Sequence, residues 1–195
     1  MIQGDNQQGT PSEAEIAWLA GIIEGEGSVM LSCFIRKEGG HPKIGTEIKI
    51  YNTDAGIIAK AVDIFERLGF AYYLAETKME PIRKKVGDGI YTGKMDPMLS
   101  VAVKNLRDAY NLSKAIYPWM FGDKKLRVAL IIQYLARRLA KIDANGGNYR
   151  NVQLDYGDCK LVVDFYRNFV SRPGHNGHLV EGLLRDYEQS QPSAA

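Results

Sequence analysis

Leu19-Ala20-Gly21-Ile22-Ile23-Glu24-Gly25-Glu26-Gly27 decides how this chain is read. Upstream, Ser12-Glu13-Ala14-Glu15 is a capping-box pattern, so a helix is expected to start there and run through Ile16, Trp18, Leu19, Ile22 and Ile23. Helical spacing puts Ala17, Gly21 and Glu24 along one edge, where small residues let a second helix backbone approach closely. The helix is expected to stop at Gly25 and Gly27, leaving Glu26 between two glycines just before a strand. A carboxylate there faces the negative end of the helix dipole and needs a compensating cation. A hard divalent ion such as Mg²⁺, held by Glu26 and a neighbouring carbonyl such as that of Gly25, would supply one. An ordinary helix with a glycine-rich C-cap and solvated acids accounts for the same residues.

Working outward, SVMLSCFIRK (28–37) and KIGTEIKIYN (43–52) read as strands flanking KEGGHP, which has the Gly and Pro of a hairpin loop. In the second, Ile44, Thr46, Ile48 and Ile50 point one way and Gly45, Glu47, Lys49 and Tyr51 the other, which is a half-buried sheet. Residues 54–68 carry an apolar stripe of Ile57, Ile58, Ala61, Ile64, Phe65 and Leu68, a helix ended by Gly69. Strand character returns at 70–78 and 98–104, around an exposed loop or hairpin tip, Arg83-Lys84-Lys85-Val86-Gly87-Asp88-Gly89. Helices are expected over 105–117, 124–141, 158–171 and 177–189. The order α-β-β-α-β-β-α-α-α-α is an α+β arrangement on an antiparallel sheet. Residues 1–11 and 191–195 are expected to be disordered tails, 12–141 the core, and 142–190 a C-terminal helical extension of the same domain.

A chain of 195 residues, with 45% hydrophobic and 25% charged residues, supports one folded domain rather than two, and a globular chain rather than a disordered one. No basic and apolar leader is visible in MIQGDNQQGTPSE, and no apolar run reaches the ~18 residues of a membrane span. Cys33 and Cys159 fit neither a disulfide scaffold nor a zinc site. Secreted, membrane and zinc-finger classes are therefore not expected. An intracellular location is, cytoplasmic in a prokaryote or organellar if organelle-encoded.

Charge is uneven along the chain. Residues 1–27 hold five acids and no base, 28–141 hold 20 Lys and Arg against 11 acids, and 142–195 hold five bases against seven acids. A basic middle suits a polyanion, although a solvated face has the same composition. The C-terminal third reads as helical cover on the core, with Tyr149, Tyr156, Tyr166 and Tyr187 as packing residues. His175-Asn176-Gly177-His178 reads as a turn between helices rather than a metal site.

The 19–27 segment resembles the signature of the LAGLIDADG homing endonucleases, with Glu at both Asp positions. The αββαββα order over 12–141, the Ile50-Tyr51-Asn52-Thr53-Asp54 strand end and the Lys124-Lys125 pair look like that family too. The resemblance implies an αββαββα core with a four-stranded antiparallel DNA-binding saddle. One motif copy implies a homodimer through Ala17, Ala20, Gly21 and Glu24, with a near-palindromic duplex DNA target. It implies hydrolysis of both strands with Glu26 from each protomer holding Mg²⁺; Mn²⁺ would substitute, and Ca²⁺ would support binding without cleavage. Glu24 would be more a helix-end and interface residue. Asn52 falls where the family has a polar residue near the attacking water, and a strand-end Asx turn explains it equally. Lys124 or Lys125 matches the active-site lysine, Lys124 being the one assigned here, with a solvated pair at a helix start as the alternative. No basic residue follows Asn52 where some members have one.

The saddle would place Ser32, Phe34, Arg36, Glu47, Lys49, Tyr51, Tyr73, Lys78, Arg83, Lys84, Lys85 and Lys94 on or near DNA. Membership of the family also implies a mobile intron or intein-like setting. The rival reading keeps the fold for binding alone, as an RNA maturase, a regulator or a decayed endonuclease.

Overall fold

Helix α1 (Glu13–Glu26) begins with the expected capping box: Ser12 Oγ accepts from the Glu15 amide at 3.3 Å while the Ser12 amide donates to Glu15 Oε2 at 2.8 Å. Arg67 and Asp63 extend this cluster from the second helix, Arg67 bridging to both Glu15 and Asp63. At its other end α1 passes directly into strand β1 (Gly27–Phe34). A Cβ on Gly27 would lie 2.7 Å from Ile23 Cα and 3.0 Å from the Lys49 carbonyl, so the helix can turn straight into the sheet only on a glycine.

The computed structural model describes residues 9–34, 43–78, 82–86, 89–93, 97–149, 152–169 and 177–190. After β1 come β2 (Lys43–Asn52), α2 (Ala55–Arg67), β3 (Tyr73–Thr77), β4 (Ile82–Val86), β5 (Gly89–Gly93) and β6 (Met98–Val103). Then follow α3 (Leu106–Ile116), a 3₁₀ turn (Tyr117–Trp119), α4 (Gly122–Ala144), α5 (Tyr156–Phe169) and α6 (Gly177–Ser190). The main sheet is antiparallel throughout, in the order β1-β2-β6-β3. The fold is α+β, as its sequence order requires.

Two details differ from expectation. The stretch expected as a loop or hairpin tip is built mainly from paired strands: β4 and β5 form a separate ribbon, with Arg83 opposite Thr92 and Lys84 opposite Tyr91. The strand expected from residue 70 starts at Tyr73, because Gly69 turns the chain at φ 70° and the Asp108 carboxylate holds the Ala71 amide at 3.0 Å.

Alternation in the strands sends Val29, Leu31, Ile48, Ile50, Val101 and Val103 to one buried face. The helices close over that face with Leu19, Ile23, Phe65, Leu112 and Ile131. Helix α5 joins the same core through Val162, Val163 and Phe165, each worth ~1.5–3 kcal/mol when fully buried. Tyr166 adds a polar function: its hydroxyl accepts from the Cys33 amide at 3.0 Å and so satisfies one amide on the outer edge of β1. Tyr149 and Tyr156, expected to pack, are instead 64% and 38% exposed. Burial raises both thiols, Cys33 and Cys159, to about 11, so neither is a reactive thiolate. Among the described residues no helix is long and apolar enough to cross a membrane.

Candidate nucleic-acid interface

Two surfaces meet where α1 enters the sheet. One is the face of the sheet away from the core; the other is the joint between the end of α1 and the start of α4.

Strand register defines the first. Ser28 pairs with Lys49, Lys49 with Ala102, and Ala102 with Tyr73, so these residues share one face across all four strands. Ser32, Phe34, Glu47 and Tyr51 lie on it as well, by the same two-residue period. Ser100 and Ala102 are small and buried in the middle strand, while Tyr73 at the edge is 60% exposed. Lys49 stands 4.5 Å from the Tyr51 ring centroid. Glu47 is already paired, with Lys104 at 2.8 Å, and Lys104 also lies 5.5 Å from the Tyr73 ring. Lys104 and Lys43 belong to this face and were missed from sequence. Lys104 sits just past the end of β6, where counting the strand's alternation one residue further would have found it. Ser32 Oγ donates to the Gly45 carbonyl at 3.4 Å. Lys78 is exposed just beyond β3, and Arg83, Lys84 and Lys85 run along β4. Arg36 and Lys94 lie outside the described residues.

The second surface rests on a mutual cap. The Lys124 ammonium, from the first turn of α4, donates to the carbonyls of Ile23 at 3.0 Å, Glu24, and Gly27 at 2.9 Å. In return the Glu24 carboxylate accepts from the Phe121 amide at 3.4 Å, at the N-terminus of α4. Each helix end thus receives the charge its dipole favours. Gly122, at φ 48°, gives the bend that brings Lys124 under α1. An ammonium has three donors, and all three are used on backbone oxygens. In this structure Lys124 is a helix cap, and its place at the start of α4 is explained by the neighbouring helix rather than its own. Lys125 lies 5.1 Å from the Tyr117 ring centroid.

Lys124 supplies the cation that the end of α1 requires, yet it passes over the Gly25 carbonyl and the Glu26 carboxylate. Glu26 is exposed and makes no hydrogen bond or ion pair among the described residues. It offers a free carboxylate beside a backbone carbonyl, a hard-oxygen donor set that fits a divalent ion such as Mg²⁺. No group of three or more His, Cys, Asp or Glu side chains that could hold a metal forms among the described residues.

The remaining site residues divide. Asn52 Oδ1 accepts from the Asp54 amide at 2.8 Å, and Asp54 in turn caps α2 through the Gly56 amide at 2.7 Å, so Asn52 makes the Asx turn. Ala17 is half-buried and Gly21 and Gly25 are exposed, with no atom within 4 Å of a Cβ built on either glycine. Ala20 is fully buried in the protomer's own core. Its expected place in an interface is corrected, because three residues beyond Ala17 the helix has already turned inward.

Known structures with this architecture settle the fold. The homing endonuclease I-CvuI, solved with its target in the presence of Ca, aligns at TM-score 0.57 and 13% identity, over 90% of this chain and 96% of that one. The group I intron-encoded homing endonuclease I-CeuI, complexed with DNA, aligns at TM-score 0.53 and 16% identity, over 92% and 78%. The LAGLIDADG homing endonuclease I-GzeII, in complex with a DNA target, aligns at TM-score 0.52 and 12% identity, over 91% and 50%. This chain has the LAGLIDADG homing endonuclease fold. No family model matches the sequence. No curated protein matches it either. In the terms of that fold, α1 is the motif helix and β1-β2-β6-β3 the saddle.

Proposed function

We propose that this protein is a site-specific homing endonuclease that acts as a homodimer and hydrolyses both strands of a long, near-palindromic duplex DNA. The observation that carries this reading is Glu26: an exposed carboxylate, without a partner among the described residues, at the end of the motif helix and beside a polar, lysine-bearing sheet face. The residues of this chain align with 96% of I-CvuI, and among them the motif helix occurs once. Two copies joined along Ala17, Gly21 and Glu24 bring two Glu26 carboxylates to one axis.

The residues of this chain divide the work. Glu26, with the Gly25 carbonyl and phosphate oxygens of DNA, would hold Mg²⁺, which when bound supplies Lewis-acid activation of water and of the leaving oxygen. Mn²⁺ would replace it, whereas Ca²⁺ would support binding without cleavage. Lys124 holds the α1–β1 joint and so aims Glu26. Lys49, Tyr51, Tyr73 and Lys104, with the β4–β5 ribbon, face the duplex.

A second reading, binding without cleavage as a maturase, regulator or decayed endonuclease, is favoured by the engagement of Asn52 and Lys124 with their own backbone. One experiment separates them: selection of cleaved products from a randomised duplex library in Mg²⁺ and then Ca²⁺, with wild type and Glu26→Gln. Cuts centred on a pseudo-palindrome in Mg²⁺ alone, lost in Glu26→Gln while capture persists, are expected. Specific capture with no cuts in any metal refutes the nuclease.

A further inference from the structure

Helices cover the inner side of the sheet, and at β3 that cover ends. Helix α2 packs on β2 and β6. Leu74 pairs with Val101 and Glu76 with Leu99, so both point to the inner side. Leu74 is nevertheless 59% exposed, and all five residues of β3 are exposed. Between β3 and α2 lies a groove of about 550 Å³, the size of a binding cleft. Ala55, Ala59 and Val62 form its helix wall at i, i+4 and i+7, and Leu74 and Leu99 form its floor. This stripe is separate from the one that α2 buries with Ala61, Ile64 and Phe65.

Three carboxylates rim the groove, Asp63, Glu66 and Glu76, and no Lys or Arg lines it. Arg67 neutralises Asp63. Glu66 accepts from the Tyr72 hydroxyl, which is neutral, at 2.6 Å. Glu76 has no hydrogen bond or ion pair among the described residues. Two negative charges thus stand beside an apolar floor, where they repel a phosphate backbone and attract a cation. β3 is also the last strand of the sheet, and among the described residues no strand pairs with its outer edge.

We propose that β3 and the groove beside it bind an extended segment of a partner protein, which pairs with the outer edge of β3 and turns an apolar residue and a Lys or Arg, two positions apart, toward α2. The period of an added strand sets that spacing. A side chain beside Leu74 drops between Val62 and Ala59, and the next one on the same face meets Glu76. Five residues of strand run about 17 Å, enough for both contacts. Tyr73 points the opposite way, so the segment and DNA would lie on opposite sides of the sheet. The inference stands apart from the nuclease reading and holds whether or not DNA is cut.

The test is selection of a phage-displayed library of random peptides on the full chain, followed by fluorescence polarisation with the enriched peptide. Enriched peptides are expected to carry an apolar residue and a Lys or Arg at i and i+2, and to slow amide hydrogen exchange across Tyr73–Thr77. Binding should weaken at least about tenfold in Glu76→Lys and in Ala59→Arg, at an unchanged melting temperature. Both positions are exposed, and arginine is a good helix former, so neither change disturbs the fold. Glu188→Lys makes the same charge change on α6 and should bind like wild type. No enriched peptide, or binding that survives both groove variants, overturns the docking surface. Enriched peptides that lack a basic residue, or that leave exchange in β3 unchanged, overturn the strand-pairing mode proposed. An equal loss in Glu188→Lys reduces the binding to unspecific charge attraction and overturns it too.

Discussion

Two clusters of acids sit at helix ends in this molecule, and they are built on opposite plans. At the start of α5, Asp158 is wholly buried and surrounded by cations: Lys141 at 2.6 Å, Arg138 at 3.3 Å and Arg137 at 3.5 Å. Arg138 is further tied to the carbonyls of Val152 and Gln153, both at 2.8 Å. Burial raises the neighbouring Asp155, but Lys141, the Asp158 amide and Arg137 together outweigh it and hold it at about 2. At the end of α1 the nearby cation, Lys124, is spent on backbone oxygens, and the carboxylate of Glu26 has no partner among the described residues. The first plan consumes its acids to join α4 to α5. The second satisfies the backbone and keeps one acid available. A charged residue with its partners supplied is structural; one whose nearby cation is spent on the backbone, itself without a partner among the described residues, is a candidate for chemistry.

That contrast can be broken or sharpened by mutation. The largest effect is expected at Asp158→Ala, which strands Arg138 and Lys141 beside a buried gap and costs about 3–5 kcal/mol by chemical denaturation. Lys124→Met comes next: it uncaps α1, and equilibrium unfolding should show a loss of ~1–2 kcal/mol. A loss close to zero would mean that water caps α1 as well as the ammonium does. A smaller, pH-confined effect belongs to Glu15, which the Arg67 hydrogen bond and the Ser12 amide hold down at about 2 from 4.5. Because the folded value is depressed, its stabilisation is complete above about pH 4.5 and is lost as pH falls toward 2. Glu15→Gln should therefore flatten the acid side of the melting-temperature profile and leave a constant offset above pH 6. Smallest of all, Glu26→Gln should change stability by less than ~0.5 kcal/mol, the signature of a residue with no structural partner. A larger loss would place Glu26 with Asp158 on the structural side of the comparison.

Much of this contrast was legible before any coordinates. The capping box at Ser12, the alternation of β2 and the apolar stripe of α2 each depend on neighbours within a few residues, and each appears as expected. The motif helix was legible for the same reason, down to the glycines that let it meet the sheet. What could not be read were contacts between distant segments. Lys124 caps a helix about 100 residues earlier in the chain, and no local pattern at 124 distinguishes that from a solvated lysine. Ala20 was misjudged because small size marks both a helix crossing and a tight core, and only the helix's own docking on the sheet separates them. Asn52 shows the converse: its turn is local, and the simple local explanation is the one the structure contains.

The Tyr166 hydroxyl on the Cys33 amide spans 133 residues of sequence. During synthesis at 5–20 residues per second, β1 leaves the ribosome roughly 7–27 s before Tyr166 does. For that interval the Cys33 amide on the outer edge of β1 lacks its partner, and the last third of the protein is what supplies it. Shortening α5 should therefore be felt first as aggregation of nascent chains, ahead of any change in the site at Glu26.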